Sequence, residues 1–312
     1  MTHTARLSLL LAGLSACLLA CDGELSPNVA FPAELGQQNN ERSGVASWAP
    51  ETAGPILSRP YKYKVPKDYD AKKPTPLVVM LHGLSASGEL NELVLHLSPL
   101  ADSRTFLYAY PDGTKNPIGQ RFWNATDGCC DFFGSKVDDV GYLTAVIDDL
   151  SSRYNVDAKR VFLVGHSNGG YMAHRMACDR SAKIAGIVSL AGAQWIDSTK
   201  CRPTGKVSVL QVHGTADTNV AYNGTPLTPG ARATVAIWAN RNGCLGSLTD
   251  TGSRIDIESG LQGAETKVEA YSGCAKEGSI ELWTMEGGGH IPVFNAQWPG
   301  AIYDFLMAHP KP

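Results

Sequence analysis

From residue 57 onward the chain alternates short apolar runs with amphipathic stretches. "PLVVMLHG" (76–83), "TFLYAYPDG" (105–113), "RVFLVGHS" (160–167), "KIAGIVSLAG" (183–192), "KVSVLQVHGTAD" (206–217) and "SIELWTM" (279–285) are brief, rich in branched residues and bounded by turn formers, the pattern of buried strands. Between them the period changes. "DDVGYLTAVIDDLSSRYNV" sets Val140, Leu143, Val146, Ile147 and Leu150 on one stripe behind acidic residues that suit a helix N-terminus. "NGGYMAHRMACDR" puts Met172, Ala173 and Met176 on one face, and "ARATVAIWANRNG" and "AQWPGAIYDFLMAH" behave alike. Strands alternating with helices predict an α/β fold: a mainly parallel sheet with helices on both faces.

The first 56 residues do not follow this rhythm. Arg6 precedes an apolar run from Leu7 to Ala20, too short to span a bilayer comfortably and ending in small residues before cysteine. Residues 1–21 therefore read as an export signal. Leu18-Leu19-Ala20-Cys21 has the form of a bacterial lipoprotein signal, with Cys21 as the lipidated residue; Leu14-Ser15-Ala16-Cys17 and an ordinary secretory signal are the alternatives. Residues 22–56 are polar and punctuated by Pro, Gly and Asn, as a tether is, which leaves 57–312 as one catalytic-sized domain.

Composition narrows the class. Of 312 residues 43% are hydrophobic and 18% charged, which suits a globular core. A formal net charge of −3 without any Lys or Arg cluster gives no electrostatic basis for a nucleic-acid partner. Membrane association is expected only through the N-terminal anchor. With Cys17 and Cys21 assigned to the signal, six cysteines remain, and in an exported chain they favour disulfides. Cys244 and Cys274 flank one Gly-rich segment and are paired; Cys178, at the end of a helix, is paired with Cys201. The adjacent Cys129 and Cys130 are left over. No phosphate loop and no His-Glu-x-x-His pattern occurs, so neither cofactor nor metal is expected.

The candidate chemistry centres on "VFLVGHSNGG", where Ser167 sits between a strand and a helix with Gly165 and Gly169 about it. Such a turn is sharp enough that flanking side chains would collide with neighbouring backbone. A serine hydroxyl needs a histidine to take its proton and a carboxylate to hold that histidine in the right tautomer. Asp217 ends "VLQVHGTAD" and His290 follows the last strand in "WTMEGGGHIPV". The order Ser167, Asp217, His290 is that of α/β-hydrolases. Asp256, Asp304 and His213 are rivals in less suitable positions. The amides of Asn168 and of Leu84, in "LHGLSASG", are the expected oxyanion donors.

On these residues the chain from about residue 60 to its end resembles the secreted polyhydroxybutyrate depolymerases and bacterial feruloyl esterases. "WNATDGCC…VDDVGYL", "YNVDAKRVFLVGHSNGGYMAHRMAC", "VLQVHGTADTNVAY" and "GGGH…WPG" look like that family's successive blocks. The resemblance implies an α/β-hydrolase fold and a serine esterase that needs no metal or cofactor, cutting carboxylic esters through an acyl-enzyme. It assigns the nucleophile to Ser167, the acid to Asp217, the base to His290 and the oxyanion amides to Leu84 and Asn168. Leu84 stands where many relatives have cysteine, His166 where many have leucine, and "HIPVFNAQWPG" delays Trp298-Pro299 past the histidine, which lengthens a loop at the substrate rim.

The segment from Ala191 to Lys206 is too short for a cap domain, so no large lid is expected. The long loop from Tyr110 to Val137 brings Trp123, Phe132 and Phe133 towards the mouth, with Trp123 and the elbow residue His166 as candidate substrate contacts. The expected activity is hydrolysis of extracellular esters, either feruloyl-type aryl esters or poly(3-hydroxybutyrate)-type polyesters. A non-catalytic binding lipoprotein of the same fold and a peptidase of the same fold are the alternatives.

Overall fold

The computed structural model describes residues 43–45 and 59–312. The signal, the anchor at Cys21 and most of the tether lie outside the described residues.

A single large sheet organises the chain. Its strands are β1 (Ser43–Val45), β2 (Lys62–Lys64), β3 (Thr75–Leu81), β4 (Leu107–Ala109), β7 (Val156–His166), β8 (Gly186–Leu190), β9 (Ser208–Gly214), β10 (Leu248–Ile255), β11 (Thr266–Tyr271) and β12 (Ile280–Met285), with β5 (Thr114–Lys115) and β6 (Arg121–Phe122) forming a separate small hairpin. The spatial order is β1-β2-β4-β3-β7-β8-β9-β12-β11-β10. From β4 through β12 the neighbours run parallel; β1, β2, β11 and β10 add antiparallel margins.

The helices are α1 (Gly88–Leu95), α2 (Leu97–Arg104), α3 (Asp139–Arg153), α4 (Asn168–Asp179), α5 (Ala231–Asn242) and α6 (Trp298–Ala308). Because side chains alternate along a strand, the central strands feed two cores. Leu77, Val79 and Leu81 of β3 pack with Leu163, Val146 of α3, Met172 of α4 and Trp238 of α5. Val78 and Met80 face the other way, with Val164, Leu95 of α1 and Ile302 of α6. The sheet is thus covered on both faces, and its fully buried parallel strands explain the continuous apolar runs.

Several boundaries differ from the sequence reading. β4 is shorter than 105–113, and β7 begins four residues before Arg160. Ser43–Val45, within the stretch read as tether, pairs with Lys62–Lys64. The helices α1 and α2 and the hairpin β10–β11 add to the elements that the sequence pattern predicts. Among the described residues, three disulfides link Cys178 to Cys201, Cys244 to Cys274 and Cys129 to Cys130.

Candidate active site

β7 ends at His166 and α4 begins at Asn168, so Ser167 alone makes the turn. Its backbone adopts φ 53° and ψ −121°, a conformation costly for a residue with a side chain. Two glycines permit it. A Cβ at Gly165 would fall 2.1 Å from the Gly169 oxygen, and one at Gly169 would fall 2.0 Å from the Leu81 oxygen. The Ser167 amide is fixed by the Leu190 carbonyl of β8 at 2.8 Å.

The two other strand-end residues converge on this turn. His290 Nε2 lies 2.9 Å from Ser167 Oγ, and His290 Nδ1 lies 2.8 Å from Asp217 Oδ2. Asp217 Oδ1 also accepts the amides of Asn219 and Val220, each at 2.8 Å. Burial alone would raise the Asp217 carboxyl, but hydrogen bonds from His213 and His290, the His290 charge and the Val220 amide outweigh it and hold the group well below the usual carboxylate range. Asp217 therefore stays ionised beside the imidazole.

The turn carrying Leu84 is held just as firmly. His82 bonds the Gly83 carbonyl through Nδ1 at 2.7 Å and accepts the Gly113 amide on Nε2 at 2.8 Å, which fixes one neutral tautomer. Burial pushes His82 down to about 4, so the ring keeps that state over a wide pH range. A Cβ at Gly83 would lie 3.4 Å from the Ser167 Cβ, which places the turn directly against the elbow. Asn168 opens α4, and its buried side chain clasps residue 123, Oδ1 accepting the Trp123 amide at 2.7 Å and Nδ2 donating to its carbonyl at 2.9 Å.

Two expectations need correction. Trp123 does not line the mouth: its side chain is fully buried, and its indole N–H donates to the His82 carbonyl at 3.0 Å. It braces the Leu84 turn from behind. His166 is also buried, and its Nε2 bonds the His290 carbonyl at 2.9 Å, so it supports the histidine loop from within. Burial and the neighbouring His290 push His166 down to about 4. Phe132 and Phe133 are exposed, as are Ile291 and Val293 on the loop after His290. The delayed Trp298 is buried and stacks on Phe294 with ring centroids 3.8 Å apart.

The rivals are accounted for. Asp256 is tied to Asn295 at 2.8 Å, Asp304 pairs with Arg104 at 3.8 Å, and His213 lies behind Asp217. A cleft of about 310 Å³ beside the long loop is lined by Asn124, Asp127, Asp131, Phe132, Arg175 and Trp195 among others; Ser167, Asp217 and His290 do not border it.

Residues 68–228 match the model of the Phospholipase/Carboxylesterase family, a span that holds the elbow, Asp217 and the Leu84 turn. The chain belongs to this family. As a phospholipase/carboxylesterase family member it shares the α/β-hydrolase fold, and the solved acetyl xylan esterase from Aspergillus awamori superposes with a TM-score of 0.56 at 15% identity, over 78% of this chain and 94% of that one. Feruloyl esterase B of Piromyces equi is 29% identical over 239 residues, 73% of this chain and 41% of its own length, so the chain spans less than half of that relative. NocK of Nocardia uniformis subsp. tsuyamanensis, named as an esterase, is 32% identical over 75% of this chain and 68% of its own, and feruloyl esterase D of Neurospora crassa is 26% identical over 75% and 74%.

Proposed function

We propose that this phospholipase/carboxylesterase family member is an exported serine esterase that hydrolyses carboxylic esters through an acyl-enzyme, with small aryl esters of the feruloyl type as its preferred substrates. The observation that carries the reading is the unbroken contact from Ser167 Oγ through His290 to the Asp217 carboxylate, with the serine held on a strained elbow. His290 Nε2 takes the hydroxyl proton as Oγ adds to the ester carbonyl. The Asp217 carboxylate holds His290 Nδ1–H and balances the imidazolium charge. The carbonyl oxygen, now an oxyanion, is met by the amides of Leu84 and Asn168. Collapse of the intermediate breaks the bond to the alcohol oxygen, which receives the proton from His290. Water then repeats the sequence on the acyl-serine and releases the acid.

The substrate class rests on the rim. Only a short 3-10 turn, Ser198–Lys200, interrupts the chain between β8 and β9, so no cap is built there, and Ile291 and Val293, just after His290, are exposed. A site without a cap there uncovers no large apolar surface at an oil interface, whereas exposed apolar side chains next to the histidine offer a small aryl group a surface to cover. The names of the relatives, feruloyl esterases among them, point the same way. Three disulfides suit an oxidising compartment.

The test is a panel of methyl ferulate, hydroxybutyrate oligomers and nitrophenyl esters of increasing chain length, run on wild type and Ser167→Ala. Loss of roughly a million-fold in the variant with its fold retained is expected, as when a covalent nucleophile is removed. Cleavage of hydroxybutyrate oligomers with none of methyl ferulate would move the substrate to polyesters, and turnover that rises up to sixteen-carbon chains would refute the open-site reading.

A further inference from the structure

Behind Asp217 a line of buried polar side chains runs through the core without touching Ser167 or His290. Trp238, His174 and Gln211 are completely buried and His213 nearly so. An indole N–H can only donate, so the 3.0 Å contact from Trp238 Nε1 makes His174 Nδ1 an acceptor and leaves the ring proton on Nε2. That proton goes to Gln211 Oε1 at 3.0 Å, which fixes the amide with its nitrogen on the far side. Gln211 Nε2 then donates to the Gly192 carbonyl at 2.8 Å and to His213 Nδ1 at 3.3 Å. With Nδ1 accepting, the His213 proton is on Nε2, facing the Val220 carbonyl at 2.8 Å and Asp217 Oδ2 at 3.3 Å.

Every bond in this line has a direction set by the one before it, and the last donor, bonded to the Val220 carbonyl, lies 3.3 Å from the oxygen that accepts His290 Nδ1–H. We propose that His213 is a positioning residue, held in its Nε2–H tautomer by Gln211, His174 and Trp238, which fixes the Asp217 carboxylate for its work on His290. The inference rests on the esterase reading above. With His213 in place, each Asp217 oxygen faces two donors: the amides of Asn219 and Val220 on Oδ1, and the imidazoles of His290 and His213 on Oδ2. A carboxylate so held cannot rotate away when His290 becomes charged. One strand and two helices supply the arrangement: Gln211 and His213 lie on one face of β9, which ends three residues before Asp217, His174 is on α4 and Trp238 on α5.

The test compares Ser167→Ala, His213→Phe and His213→Gln on one short aryl ester. Phe keeps the volume of the ring without a donor, and Gln returns an N–H near the Nε2 position. His213→Phe is expected to lose about tenfold or more in kcat, the scale of one hydrogen bond to a charged group, with KM changed by less than about threefold. His213→Gln should recover kcat to within about threefold of wild type. A kcat for His213→Phe equal to wild type, a loss seen only in KM, or an equal loss in His213→Gln overturns the proposal. If Ser167→Ala keeps turnover, the esterase reading itself falls, a separate result. Where His213→Phe does not fold, nitrogen-15 NMR of the histidine-labelled wild type decides: Nε2 protonated and Nδ1 bare on both His174 and His213 supports the line, and the opposite tautomer at His213 ends it.

Discussion

His174 gives the fold a built-in sensitivity to acid. The ring is completely buried, accepts the Trp238 indole on one nitrogen and donates to Gln211 from the other, so a second proton would have to displace the Trp238 bond. Burial, against the weaker effect of Gln211, pushes its pKa down from 6.5 to about 4. Once the chain unfolds, the ring takes a proton near 6.5. Between these values the unfolded chain binds one more proton than the folded one, so stability is full above about pH 6.5 and falls as the pH drops towards 4. From pH 8 to pH 5 this single group costs about 2 kcal/mol. His82 and His166, also pushed down to about 4, act in the same direction, and the three together cost about 6 kcal/mol, comparable with the whole stability of many domains. Urea unfolding of wild type and His174→Gln at pH 8 and pH 5 isolates one of the three. The variant is less stable at pH 8, but it should lose about 2 kcal/mol less on acidification. Equal losses in the two proteins would mean that His174 is protonated in the folded chain at pH 5, and the reasoning would be wrong.

Asp217→Asn should leave the contacts in place but favour the wrong tautomer of His290, lowering kcat by about ten-thousand-fold; a near-normal rate, or a larger loss in Asp256→Asn, would reassign the acid. Gly165→Ala drives a methyl group to 2.1 Å from the Gly169 oxygen, so either the elbow shifts and ester turnover is abolished or the chain fails to fold. Wild-type turnover in a folded Gly165→Ala variant would contradict the elbow geometry. The Cys244–Cys274 bridge spans 30 residues, and its removal by paired serine substitution should cost about 3–4 kcal/mol of unfolding free energy on the chain-entropy model. An unchanged urea midpoint would show that the bridge restrains little.

The elements that can be read from the sequence are those whose burial forces a pattern. β3, β8, β9 and the second half of β7 are mostly apolar because both faces are covered, and α3 shows its stripe because one side meets the core. Ser167, Asp217 and His290 stand out because each is a polar residue at or just past the end of such a strand. The hairpin β10–β11 escapes notice because β10, "LTDTGSRI", is exposed along most of its length and carries no apolar alternation. α1 and α2 are short, each buries few residues, and they meet at His96 in a left-handed turn that no residue type announces. The error over Trp123 is of another kind. Its neighbours place it in a long loop near the site, but whether an aromatic ring there turns outward or inward depends on a partner, the His82 carbonyl, 41 residues away in sequence.

The polarity of β10 has its own consequence for how copies of this protein meet. Among the described residues β10 is the outermost strand on its side of the sheet, the kind of edge whose free amides and carbonyls invite a strand from another molecule. Here the pairing with β11 slips between Asp250 and Arg254, Gly252 turns the backbone to φ +80°, and Arg254 closes over Asp250 at 2.9 Å. A visiting strand would find a kinked template with a charged clasp across it. Crowded together, the molecules therefore meet an obstacle to zipping into a shared sheet at this margin.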